Sequence, residues 1–69
     1  MNLKVILKSG KSAIINNFQE VSYPNYDETK IITDSNLSDI SLVSNATYIF
    51  KGNQSVVVKG EDIELLTFE

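Results

Sequence analysis

The chain has no cysteine, no histidine, no tryptophan and no arginine, and its only proline is Pro24. Each absence closes a route. Without cysteine there is no disulfide and no thiolate metal site to staple the fold. Without histidine or cysteine there is no Ser-His-Asp triad, no thiolate nucleophile and no ordinary zinc site. Without arginine the bidentate contacts that nucleic-acid binders make to bases and phosphates are missing, because lysine cannot reproduce them. No apolar run approaches the roughly 20 residues of a membrane helix, and Met1 to Lys8 is too short in its apolar part for a signal peptide.

What remains is short and mildly acidic. Six lysines stand against nine carboxylates in 69 residues, a net charge of −3. One small domain over 1–69 is expected, and a chain of this size buries only about 60% of the surface its unfolded form exposes. The thin, unstapled core makes self-association into a homo-oligomer an expectation. The charge argues against nucleic acid as a partner. A soluble, cytoplasmic protein without cofactor, metal or membrane association is the expected setting. In that setting the sequons at Asn36, Asn45 and Asn53 are coincidences of an Asn- and Ser-rich chain.

The strongest structural signal runs from Ala46 to Phe68. It is rich in β-branched and aromatic residues, and Gly52-Asn53 and Gly60-Glu61-Asp62 punctuate it, so three successive antiparallel strands are expected. A two-residue Gly52-Asn53 turn would set Ile49 opposite Val56 and Tyr48 opposite Val57. A three-residue turn would set Phe50 opposite Val56 and Tyr48 opposite Val58, which buries the large side chains better with poorer turn chemistry. The two-residue turn is preferred, with the hairpin central in its sheet.

Upstream, Leu3, Val5 and Leu7 alternate with Lys4, Ile6 and Lys8, giving a strand that Ser9-Gly10 turns into a second over Lys11 to Asn16. Asn16-Asn17 suits a bend, and Phe18 to Tyr23 resumes alternation, so one long bent strand with a register change near Gln19-Glu20 is expected, ending at Pro24. Thr29 to Thr33 is a short strand and Asp34-Ser35-Asn36 a turn. In Leu37 to Val43, the recurrence of Leu37, Ile40 and Val43 allows one or two helical turns, whereas Ile40 and Leu42 alternating with polar neighbours fit a strand. The serines and β-branched residues favour the strand. The sum is an all-β domain of five to six short strands, a small antiparallel barrel or sandwich of SH3-like or Sm-like kind, with a helical turn near 36–43 as the variant.

Candidate sites are few. The carboxylate pairs Asp27/Glu28, Asp34/Asp39 and Glu61/Asp62 all fall in turn sequence, where solvation is the ordinary state, so no catalytic pair is expected. Asp34 to Asn45 begins like a calcium loop, but it has Asp39 where the loop needs Gly and Asn45 where it needs Glu. The isolated Gly10, Gly52 and Gly60 make no phosphate cradle. Among the aromatics, Phe18, Tyr23, Tyr48, Phe50 and Phe68 read as core. Tyr26 lies in the polar loop after Pro24 and reads as an exposed anchor for a protein partner, with Asp27 and Glu28 as a steering rim.

The segment Val56-Val-Val-Lys-Gly-Glu-Asp-Ile-Glu-Leu-Leu66 resembles the second signature of Sm-like proteins. Lys4-Val-Ile-Leu-Lys-Ser-Gly-Lys11 is similar to the start of their first. The resemblance implies a bent five-stranded barrel, a ring oligomer and, as the alternative function, RNA binding. Ala13 to Val21 has neither the Gly-containing strand nor the Asp-x-x-x-Asn uridine pocket of that family, so it implies no site residues. In type, a tiny acidic β-protein with a Lys8-Ser9-Gly10 hairpin and no catalytic side chains resembles small phage and prophage proteins of Gram-positive bacteria. That resemblance implies a non-enzymatic accessory protein that binds a host or phage protein.

Overall fold

In the computed structural model, which describes residues 1–69, the chain is all-β: seven strands form two antiparallel sheets. β1 (Leu3–Leu7), β2 (Ser12–Ile15) and β7 (Ile63–Phe68) make one sheet in the order β2-β1-β7. β3 (Glu20–Asn25), β4 (Glu28–Thr33), β5 (Thr47–Lys51) and β6 (Ser55–Lys59) make the other, in the order β4-β3-β5-β6. The inward residues of both sheets meet in one cluster. It holds Leu3, Val5 and Ile15 from the first sheet and Val21, Tyr23, Ile32, Tyr48 and Phe50 from the second. Tyr23 and Tyr48 stack with ring centroids 4.6 Å apart, and Tyr48 lies 6.2 Å from Phe50.

The three-residue hairpin loop forms, against the preference for a two-residue turn. Phe50 pairs with Val56, Tyr48 with Val58 and Lys51 with Ser55, leaving Gly52 to Gln54 as the loop. Gathering Val56 and Val58 on the face of Tyr48 and Phe50 outweighs the better turn chemistry, since a one-residue slip would have turned both valines outward and Val57 in. Gly52 serves close approach instead: a Cβ there would lie 2.6 Å from the Asn16 carbonyl oxygen. The loop is stitched to the corner after β2, Asn53 N–H donating to the Asn16 carbonyl (2.9 Å) and Gln54 Nε2 to that of Ile14 (3.2 Å). Only β5 of this hairpin is central. β6 is an edge, and Val57 on its outer face is 65% exposed.

Three further expectations are corrected. Ile63 to Phe68 does not add to β6 as a third strand; the turn at Gly60–Asp62 carries it to the other sheet, where Leu3 meets Phe68 and Val5 meets Leu66. A bulge at Glu64-Leu65 turns both outward while Ile63 and Leu66 face in. The long bent strand is two strands in different sheets. The break falls at Asn16-Asn17, where Asn17 takes φ 54, and Phe18 is buried on the connection with its ring 5.7 Å from that of Phe68. Leu37 to Val43 is no strand: Leu37–Asp39 is a 3-10 turn, and the chain then runs without regular structure to a turn at Ser44-Asn45 before β5. Leu37, Ile40 and Val43, the set at helical spacing, are nevertheless the residues that pack on the core.

The surface area of 4413 Å² is close to the about 4,300 Å² that a folded monomer of this mass exposes. No helix is long and apolar enough to cross a membrane.

Gly60 is the tightest point of the fold. It is buried, its N–H donates to the Ala46 carbonyl (2.7 Å), and a Cβ would press into the Val43 carbonyl oxygen and lie 3.0 Å from that of Ala46. Gly10, with φ 92, has open space around it. Gly60→Ala should cost about 3 kcal/mol in urea unfolding through overpacking. Gly10→Ala should cost about 1 kcal/mol, through backbone strain alone.

Candidate functional site

The β3–β4 hairpin projects past its neighbour. β5 pairs with β3 only over Glu20 to Ser22, whereas β4 follows β3 as far as Asn25, opposite Glu28. Pro24 therefore does not end the strand, as its missing N–H had implied. Thr33 N–H donates to Asn36 Oδ1 (2.7 Å), so its backbone faces away from β3. Its partner Glu20, and with it Ser22 and Pro24, then face the β5 side. At Pro24 no β5 residue is paired there, and the absent donor leaves no gap in a ladder.

Only Tyr26 and Asp27 remain as the loop. A two-residue hairpin turn needs a positive φ at its first or at both central residues, a demand usually met by Gly or Asn. Here Tyr26 meets it, with φ 59 and 98% of its surface exposed. Holding a bulky residue in that region costs about 1–2 kcal/mol. The strain is offset by the paired strands below and leaves the ring projecting from a stiff support. Asp27 and Glu28, the other predicted site residues, follow it directly and are exposed. The structure keeps all three together at one tip.

Sequence reasoning missed what stands beside that tip. Pro24, Asn25 and Tyr26 form one wall of an open cleft of about 480 Å³, with Val43, Asn45 and Ala46 as the other. A second, shallower depression of about 200 Å³ shares Asn45 and Ala46 and continues to Lys59 and Glu61. Together they make a groove running from the aromatic tip to a Lys/Glu end. No local pattern could have announced it, because its walls come from segments that only the fold brings together.

The segment that carries the Val43 wall is held by two phenols. Tyr48 OH donates to the Ser41 carbonyl (2.7 Å) and accepts from Val43 N–H (2.7 Å), and Tyr23 OH lies 3.3 Å from Ser41 N. Burial pushes the Tyr48 phenol above its ordinary range, against the lowering by the Val43 N–H bond and with a further rise from Tyr23. All six carboxylates of the three candidate pairs are exposed, and nowhere do three acidic groups converge.

No protein-family model, curated protein or solved structure matches the chain.

Tyr48→Phe strands the Ser41 carbonyl and the Val43 N–H, and should destabilise the fold by about 2 kcal/mol in urea titration. The raised pKa fixes the sign of the pH effect. The folded chain holds its phenolic proton more tightly than the unfolded one, so this contribution is complete below the unfolded value of about 10 and is lost as pH rises through the folded value. Wild-type stability should fall in that alkaline window more steeply than that of Tyr48→Phe.

Proposed function

We propose that the chain is a non-enzymatic protein-interaction module that seats an extended segment of a partner protein in the groove between the β3–β4 tip and Val43 to Ala46. The observation that carries this reading is Tyr26, almost fully exposed and held at an unfavourable φ beside that groove. A soluble domain gains nothing in its own core from such a residue, whereas an aromatic ring on a stiff support loses little entropy when a partner covers it. Asp27 and Glu28 beside it favour a partner basic near the anchor, and steer its approach.

The wider setting belongs to the same proposal. The small acidic type places the module among phage or prophage accessory proteins acting in the cytoplasm on a host or phage protein, and it self-associates. The rival is Sm-like RNA binding. A net charge of −3 and the lack of arginine weigh against it, since affinity for a polyanion rests on neutralising phosphates.

Tyr26→Gly separates anchor from fold. It relieves the positive φ, so thermal or urea stability should stay the same or rise by up to about 1 kcal/mol. Capture of a protein from bacterial host lysate should meanwhile be lost. Capture that survives the substitution would overturn the anchor role. Salt-sensitive, micromolar binding of oligo-uridine by the wild type would instead support the RNA-binding reading.

A further inference from the structure

Four strand edges border the two sheets, and of β2, β4, β6 and β7 only β4 carries charges of both signs. β2 and β6 meet at the stitched loop, where Asn53 and Gln54 donate to carbonyls of Asn16 and Ile14. β7 is broken by its bulge at Glu64-Leu65. β4 differs along its length. At Thr33 the outward N–H and carbonyl are both taken by Asn36, the carbonyl accepting from Asn36 N–H (3.3 Å). Two and four residues earlier, Ile31 and Thr29 aim their backbone groups to the same side by the two-residue period of a strand. Both are exposed, and no bond beyond the sheet is made there. An open edge of this kind is a template for another strand.

The geometry points to a second copy of this chain as the occupant, the two β4 strands pairing antiparallel about a two-fold axis through Thr29. This deepens the self-association proposed above by naming its surface. Charge selects the register. An axis through Lys30 would set Lys30 against its own copy. An axis through Ile31 would set Glu28 against Asp34 of the other copy, and would pair Thr29 with a Thr33 already capped by Asn36.

Centred on Thr29, the pairing instead sets Glu28 opposite Lys30 twice, once on each side of the axis. It also brings the two threonines together with their backbone groups facing. Opposite charges and Thr–Thr pairs are favoured directly across antiparallel strands, and like charges there are disfavoured. The axis residue keeps each side chain on its own face, so the two four-stranded sheets continue as one. The exposed row Ile31, Ile49 and Val57, which lie in register on either side of Ser22, then belongs to an eight-stranded surface. The groove lies on the β5 side of the hairpin, away from this edge, while the pairing takes up Glu28 and sets Asp27 beside Ile31 of the other copy.

So short a contact falls below the roughly 1,200 Å² of stable interfaces, which makes the dimer weak and concentration-dependent. Sedimentation equilibrium of the wild type should show a monomer–dimer equilibrium that loosens with salt. Glu28→Lys, which sets lysine against lysine, should weaken it about tenfold. The double variant Glu28→Lys/Lys30→Glu should restore it. Thr29→Pro, which removes the outward N–H without touching the β3 ladder, should abolish it, with circular dichroism confirming the fold of each variant. A wild type that stays monomeric at millimolar concentration would overturn the proposal, and so would a dimer indifferent to both Glu28→Lys and Thr29→Pro. Either result would leave Tyr26-dependent capture standing, and loss of that capture would leave the dimer standing.

Discussion

The phenol oxygen of Tyr48 is where the one long segment outside the sheets is tied to the core. The ring is buried on the inner face of β5, stacked on Tyr23, while its oxygen bridges the Ser41 carbonyl and the Val43 N–H. The segment from Asp34 to Asn45 has no sheet partner of its own. Its peptide groups need bonds from elsewhere, and a buried hydroxyl needs partners in return. Each requirement is met by the other. Once that segment is fixed, Leu37, Ile40 and Val43 close over the core, and the carbonyls of Val43 and Ala46 come so near Gly60 that no side chain fits there.

The same tie sets the groove. Val43, Asn45 and Ala46 can face the hairpin tip only because the preceding residues are pinned, and Pro24 and Tyr26 can face them only because β5 stops short of the tip. The opposite flank of that hairpin is β4, with its open backbone at Thr29 and Ile31. One projecting hairpin thus offers a side-chain surface on one flank and a backbone edge on the other. An aromatic anchor draws on desolvation and shape, and a strand edge on hydrogen bonds, so the two respond differently to salt and to substitution.

Much of the fold was legible wherever the signal was local. The alternation of Leu3, Val5 and Leu7 marked β1, Ser9-Gly10 its turn, and Tyr26 stood out as the aromatic without an apolar neighbourhood. Where two local signals competed, burial won. Tyr48 and Phe50 dictated the hairpin register over Gly52-Asn53 turn chemistry, and Gly52 proved to be glycine because Asn16 approaches it. Choices between distant partners were not legible. Nothing in Ile63 to Phe68 distinguishes β6 from β1 as its neighbour, and nothing in Asn45-Ala46 announces Pro24 and Tyr26 across the cleft. The segment 37–43 carried both periods, and its fate was decided by a hydroxyl on another strand.

The pairing of β7 with β1 also governs the order in which this protein can be made. Leu3 and Val5 leave the ribosome long before their partners, Phe68 and Leu66, which come with the last of the seven strands. Until then β1 and β2 form a lone hairpin, which is at best marginally stable in water. The four-stranded sheet, whose strands all lie between β2 and β7 in sequence, is the part able to form first. Closing the remaining sheet joins the two ends of the chain, a contact of high sequence separation that slows folding of small β domains to the millisecond-to-second range. Closing of that sheet therefore waits for the last of the seven strands.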